Sequence, residues 1–302
     1  MRRIAGDVTQ IAQTHDFIGE TPTWSPSENC LYWINVLDDP AIRRIDPSNG
    51  HVTSWNMPDR IGALVLKEGG GAIVALSDGI YDFDFTSGDL RLRAPSPFPD
   101  PANVPLHEGR CDPTGRFWIG STNNAFLTSG ELGGANLFRL DGDVLTPVAD
   151  GFTISNGLAF SPDGRTLYAV DSARGTIWAW DCERETGALS NRRDFASYPF
   201  EMGGLDGAAV DEEGGYWSAV FGAGLLRRWR EDGTPDMEIQ LPFTQPTMLA
   251  FGGKDLDTLF ITTGWFMQDE AGRASQPQLG GLYAMKAPLR GLPEPLFKQS
   301  VR

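Results

Sequence analysis

Three residues in this chain pair a hard oxygen donor with turn-prone neighbours. They are Glu20 in Gly19-Glu20-Thr21-Pro22, Asn156 in Ser155-Asn156-Gly157, and Asp206 in Gly204-Leu205-Asp206-Gly207. Carboxylate and amide oxygens are the donors that hard divalent cations prefer. Each position also has a structural reading: a surface glutamate, an Asn-Gly hairpin turn tolerating positive φ, and an Asp-Gly turn. Metal chemistry follows only if the fold brings positions 20, 156 and 206 to one place.

Composition narrows the field. A chain of 302 residues can form one large domain or two ordinary ones. Nine Trp and seventeen Phe, with 36 Gly and 21 Pro, favour sheets joined by tight turns over helix bundles. The formal net charge of -15 argues against nucleic acid or an anionic membrane as partner. Cys30, Cys111 and Cys182 are odd in number and widely spaced, which excludes a zinc knuckle and argues against a disulfide framework. The N-terminus lacks the apolar run of a signal peptide, and no stretch approaches the length of a membrane span. The expectation is a cytoplasmic protein, monomeric or a small homo-oligomer, that acts on a small molecule.

The elements that would position the three donors emerge as a repeat. Apolar or aromatic pairs recur at Tyr32-Trp33, Ile73-Val74, Phe117-Trp118, Leu167-Tyr168, Tyr216-Trp217 and Leu259-Phe260, at a mean spacing of about 45 residues. Turns rich in Gly, Asp or Asn precede these strands, as at Asp112 to Gly115, Ser161 to Gly164 and Asp211 to Gly214. A further short strand follows each pair, for example from Ile42, Ile80, Leu137, Ile177, Leu225 and Leu282. Six units of about four strands predict an all-β, six-bladed β-propeller over residues 1–302 as one domain. Two β-sandwich domains would need a linker, and no composition break supplies one. Thr122 to Gly134 and Trp265 to Gln278 read as long loops on one face.

In this order and at blade spacing, the motifs resemble the regucalcin (senescence marker protein)/gluconolactonase family of six-bladed propellers. The resemblance runs through Gly19-Glu20-x-Pro22-x-Trp24, Ile154-Ser155-Asn156-Gly157-Leu158, the Ser161 to Tyr168 strand-turn with Asp171-Ser172, and Leu205-Asp206-Gly207. It continues through Phe251-Gly252-Gly253 and Gln278-Leu279-Gly280-Gly281 and covers nearly the whole chain. It implies one divalent cation (calcium, zinc, manganese, iron or magnesium) in a central channel, held by Glu20, Asn156 and Asp206. It further implies that Asp206 handles the proton, and that Asp171 supports the centre from behind. The implied reaction is opening of a sugar lactone, in which the cation polarises the carbonyl and water attacks.

The chain departs from the family between Pro105 and Arg110. Lactonases of the family commonly carry Arg-x-Asn-Asp-Gly where this chain has Pro105-Leu106-His107-Glu108-Gly109, and a glutamate of some relatives falls here at Asn124-Ala125. His107 is therefore a candidate fourth metal ligand, a substrate contact or a channel-lining histidine; as a ligand it would bias the site toward zinc, iron or manganese. Glu108 keeps a carboxylate close behind the centre, and Arg60 is a candidate to replace the missing arginine. Trp24 and Trp265 are read first as packing residues, and His15 and His51 as residues of polar loops. Two other functions compete with lactone hydrolysis: a metal-dependent phosphotriesterase-like hydrolase, as in the related fluorophosphatases, and a non-catalytic cation- or ligand-binding propeller.

Overall fold

All six apolar pairs lie in the second strand of a four-stranded antiparallel unit, and six such units form the molecule. The computed structural model describes residues 1–299. Blade 1 runs Gly19–Ser25, Cys30–Asn35, Ala41–Asp46 and His51–Asn56. Blade 2 begins with Ile61–Leu66, blade 3 with Leu106–Cys111, blade 4 with Ser155–Phe160, blade 5 with Gly204–Val210 and blade 6 with Pro246–Gly252. These first strands are the inner ones: each touches the next around the axis, and blade 6 meets blade 1. The fold is a six-bladed β-propeller.

The ring is closed by the N-terminus. Thr9–Gln13 pairs antiparallel with Gly281–Lys286 and supplies the outer strand of blade 6. Arg2–Ala5 adds in parallel to the outer strand of blade 5, Pro235–Gln240, so the first residues staple two blades at once. At the far end of the chain, Leu256, Asp211, Arg110, Glu68 and Leu66 hold the segment from Gly291 to Phe297. They do so through backbone bonds and an Arg110–Glu294 ion pair of 3.0 Å. This segment crosses the C-terminal ends of the inner strands and lines a half-open pocket of about 190 Å³ with Cys111, Phe160, Val210 and Phe251.

Between blades the side chains form dry clusters of aromatic and aliphatic residues, the largest buried ones being Trp33, Trp118, Trp217 and Trp229. Burying an indole leaves its N–H in need of an acceptor. Three aspartates meet that need: Trp33 Nε1 donates to Asp16 at 2.8 Å, Trp118 to Asp112 at 3.1 Å and Trp217 to Asp211 at 2.7 Å. Each aspartate also binds an arginine, Arg43, Arg116 or Arg228, which balances its charge. His51 opens the outer strand of blade 1 instead of lying in a loop. No helix among the described residues is long and apolar enough to cross a membrane.

Candidate active site

Every inner strand carries a register shift near its N-terminal end. The shifts fall between Glu20 and Thr23, Ile61 and Ala63, His107 and Gly109, Asn156 and Ala159, Leu205 and Ala208, and Pro246 and Met248. A bulge turns a side chain away from the strand's own alternation. The six bulges lie at one level, so the residues beside them form a ring around the axis. Three are made with left-handed backbone just after the ring residue: Thr21 at φ 50°, Glu108 at φ 41° and Gly157 at φ 58°. At two of these a residue with a side chain accepts that conformation, at a cost of about 1–3 kcal/mol each. Gly157 is required twice over, because a Cβ would also lie 2.3 Å from the Tyr216 hydroxyl, which donates to the Gly157 carbonyl at 2.7 Å. Asn156-Gly157 is thus a bulge inside the strand Ser155–Phe160, where the dipeptide alone reads as a hairpin turn.

Three carboxylates converge on this ring. Glu20 is 4% exposed, and its Oε2 accepts only a 3.3 Å bond from the Thr21 N–H. Burial, then the charges of Asp206 and Glu108, push it well above the usual carboxylate range. Asp206 is pushed up in the same way, by burial first and Glu108 next, against the Gly207 N–H. Glu108 rises to about 7 through burial, against the pull of the Leu158 N–H, the Arg110 charge and the Gly157 N–H. Its two oxygens are committed to the backbone, accepting from Gly157 N at 2.8 Å and Leu158 N at 2.6 Å. Glu108 therefore clamps the bulge behind Asn156 instead of facing a ligand. Among the described residues, no lysine or arginine pairs with Glu20 or Asp206. With the Asn156 amide between them, the two open carboxylates are a donor set that could hold a divalent cation.

A polar chain runs across four blades at the same level. Arg60 Nη2 lies 3.3 Å from His107 Nδ1, and His107 Nε2 lies 2.9 Å from Asn156 Oδ1. Asn156 Nδ2 donates to Ser172 Oγ at 3.0 Å, and Ser172 Oγ donates to the Leu205 carbonyl at 2.6 Å, one residue from Asp206. One assignment of protons satisfies every link: Nδ1 accepts from the guanidinium and Nε2–H donates to the amide. Burial and the Arg60 charge hold His107 down to about 3, so the imidazole is neutral, as this chain of bonds requires. The orientation of the Asn156 amide follows, with its nitrogen on Ser172 and its oxygen on His107.

The propeller itself has known counterparts. The family model described as SMP-30/Gluconolactonase/LRE-like region matches residues 18–264. A 6-deoxy-6-sulfogluconolactonase of Pseudomonas putida is 37% identical over 282 residues, 93% of this chain and 94% of that protein. The chain belongs to this family. An L-arabinolactonase of Azospirillum brasilense is 29% identical over 308 residues, 99% of this chain and 98% of that protein. The crystal structure of a calcium-binding protein, regucalcin, from Agrobacterium tumefaciens superposes with a TM-score of 0.92 at 26% identity, covering 99% of both chains.

Within this SMP-30/gluconolactonase frame, Glu20, Asn156, Asp206, His107 and Glu108 all come together. Asp171 stands apart: fully buried at its strand end, it accepts from the N–H groups of Thr153, Ile154 and Ala173 and pairs with Arg174. It shapes the entry to the strand that carries Asn156 without touching the amide. The contact belongs to its neighbour Ser172, and nothing in the Asp171-Ser172 dipeptide distinguishes the hydroxyl from the carboxylate for that role. Tyr216 reads in the sequence only as half of an apolar strand pair, one of many aromatic strand positions. Trp24 is core, stacked on Phe260 at 5.5 Å, and Trp265 lies edge-on to Phe17 at 4.5 Å.

Proposed function

We propose that this chain hydrolyses the internal ester of a small sugar lactone, using one divalent cation held by Glu20, Asn156 and Asp206. The observation that carries this reading is the buried Glu20 on blade 1 and the half-buried Asp206 on blade 5, with no cationic side chain of the described residues against either. Unpaired buried charge costs several kcal/mol per ion, and a cation between the two relieves it. Among the described residues no three His, Cys, Asp or Glu side chains form a metal cluster by themselves, and in this reading the Asn156 amide oxygen is the third donor. His107 is engaged at both nitrogens, which supports an all-oxygen donor set suited to calcium, magnesium or manganese over an imidazole-containing one. The cation when bound supplies Lewis-acid polarisation of the lactone carbonyl.

The chain's own residues do the rest. Asp206 keeps some exposure to the channel and accepts a proton from the attacking water. The resulting hydroxide oxygen adds to the carbonyl carbon, the ring C–O bond breaks, and the leaving alkoxide recovers the proton from Asp206. The product is the open hydroxy acid. His107 and Ser172 fix the orientation of the Asn156 amide, one at its oxygen and one at its nitrogen. Relatives named for the hydrolysis of sulfogluconolactone and arabinolactone support the same substrate class. The three buried free thiols support a reducing compartment, the cytoplasm.

The test is hydrolysis of a panel of sugar lactones, with a phosphotriester as control, after chelation and after return of calcium, magnesium, manganese or zinc one at a time. Lactone hydrolysis is expected to vanish on chelation and return with at least one cation. Retained activity in Asp206→Ala would refute the mechanism.

A further inference from the structure

We propose that Arg60 anchors an anionic substituent on the lactone, so that the preferred substrates are sugar lactones bearing a carboxylate, phosphate or sulfonate away from the ester. The proposal rests on the lactonase reading above and names the substrate class within it.

Arg60 stands immediately before the inner strand of blade 2, Ile61–Leu66, at the level of the ring. Gly62 allows blades 2 and 3 to close up there, since a Cβ on it would lie 2.2 Å from the Leu106 carbonyl oxygen. The guanidinium consequently reaches His107 of blade 3, 3.3 Å from its Nδ1. A guanidinium has five N–H donors, and this bond uses one. Its Nε is buried and without a partner, and no carboxylate of the described residues pairs with the side chain. Asp59, the one carboxylate whose charge acts on Arg60, accepts from the Arg60 backbone N–H at 2.7 Å.

Of the other arginines with a lone buried Nε, Arg93 pairs with Asp82 at 2.8 Å and Arg227 with Glu238 at 3.1 Å. Arg44 shares the lack of an ion pair among the described residues, but it lies on the third strand of blade 1 with its guanidinium over the Tyr32 ring at 5.9 Å, not beside His107. Among the described residues, the Arg60 guanidinium has no hydrogen-bond partner other than His107. A planar fork of N–H groups matches the paired oxygens of carboxylate, phosphate and sulfonate. Two hydrogen bonds and one imidazole ring separate Arg60 from the Asn156 oxygen, the length scale of a six-carbon sugar. With a formal net charge of -15, the chain as a whole does not attract anions, so recognition of one falls to a local group. Support of His107 alone would need a single N–H and would leave the other donors without purpose.

The experiment is steady-state kinetics of the cation-loaded full chain on gluconolactone and on counterparts carrying phosphate, sulfonate or carboxylate at the terminal carbon. Wild type, Arg60→Gln and Arg60→Lys are compared. A charge-assisted contact predicts that wild type favours at least one charged lactone by roughly 10- to 100-fold in kcat/KM, through a lower KM. Arg60→Gln should remove most of that preference, and Arg60→Lys should recover part of it. The largest ratio among the three anions identifies the substituent. Equal kcat/KM for charged and neutral lactones in wild type overturns the anchor and leaves the lactonase reading intact. So does an Arg60→Gln variant that loses kcat equally on both, because that is the signature of a residue acting only through His107. If no lactone is hydrolysed under any cation, the anchor and the lactonase reading fall together. Should Arg60→Gln not fold, the wild-type ratio and Arg60→Lys still decide.

Discussion

Asp206 is held in place against its own charge. Beyond burial, the charges of Asp206 and then Glu108 raise the affinity of Glu20 for protons, and the Glu108 charge raises that of Asp206, while among the described residues no basic side chain pairs with Glu20 or Asp206. A cation bound as proposed would offset that repulsion, so the bare and cation-loaded states should respond oppositely to one substitution. In chelator, Asp206→Asn is expected to melt at or above wild type, because a buried like charge is gone. With cation present the order should reverse, since the variant gains less from ligand binding. The comparison needs only thermal melts with and without metal. A variant less stable than wild type in both conditions would show that Asp206 is a structural aspartate. Activity should fall by about 10²- to 10⁴-fold, the usual contribution of a general base.

At the scale of a blade, local geometry places the chemistry. The bulge sits at the same level in each inner strand, and side chains from adjacent blades lock it. Glu108 of blade 3 holds the backbone of blade 4, Tyr216 of blade 5 holds the same bulge, and Thr247 of blade 6 donates to the Gly19 carbonyl of blade 1. At the other end of blade 3, Asp112 gathers the Thr114, Arg116 and Trp118 donors. Burial alone would raise its pKa, but those bonds outweigh burial and leave it below the ordinary value of 3.8. A depressed carboxylate lends stability that is present above 3.8 and is lost as pH falls below it. Asp112→Ala should therefore cost about 1–3 kcal/mol at neutral pH, with the indole N–H left unpaired. The gap from wild type in denaturant midpoint should narrow in acid below the ordinary value. A gap independent of pH would assign the loss to packing instead.

For the whole molecule, the site depends on closure. Glu20 and Asp206 belong to blades 1 and 5, and blade 6, which joins them, is completed by Thr9–Gln13. Deleting residues 1–13 strips one outer strand from blade 6 and the parallel edge strand from blade 5, exposing strand edges. The truncated chain is expected to lose cation-dependent stabilisation and lactone hydrolysis together, even where circular dichroism still reports β-structure. Retention of both would mean that the inner strands close the ring unaided.

The blade count and the second and third strands of every blade were legible in the residues, as were Glu20, Asn156 and Asp206 as candidate oxygen donors. They depend on local patterns: apolar strand pairs, turns of Gly, Asp and Asn, and an order of short motifs. Tertiary structure decided what each polar residue touches. Asn156-Gly157 is a bulge because Glu108 and Tyr216, from the blades on either side, hold it there. Ser172 reaches the amide where Asp171 does not, and Arg60 meets His107 where Gly62 lets blades 2 and 3 close up. These contacts join residues 16 to 59 positions apart on different strands, and no local rule ranks one such pairing above another. Periodicity sets which residues face the axis; the bulges and the packing of adjacent blades set what they meet there.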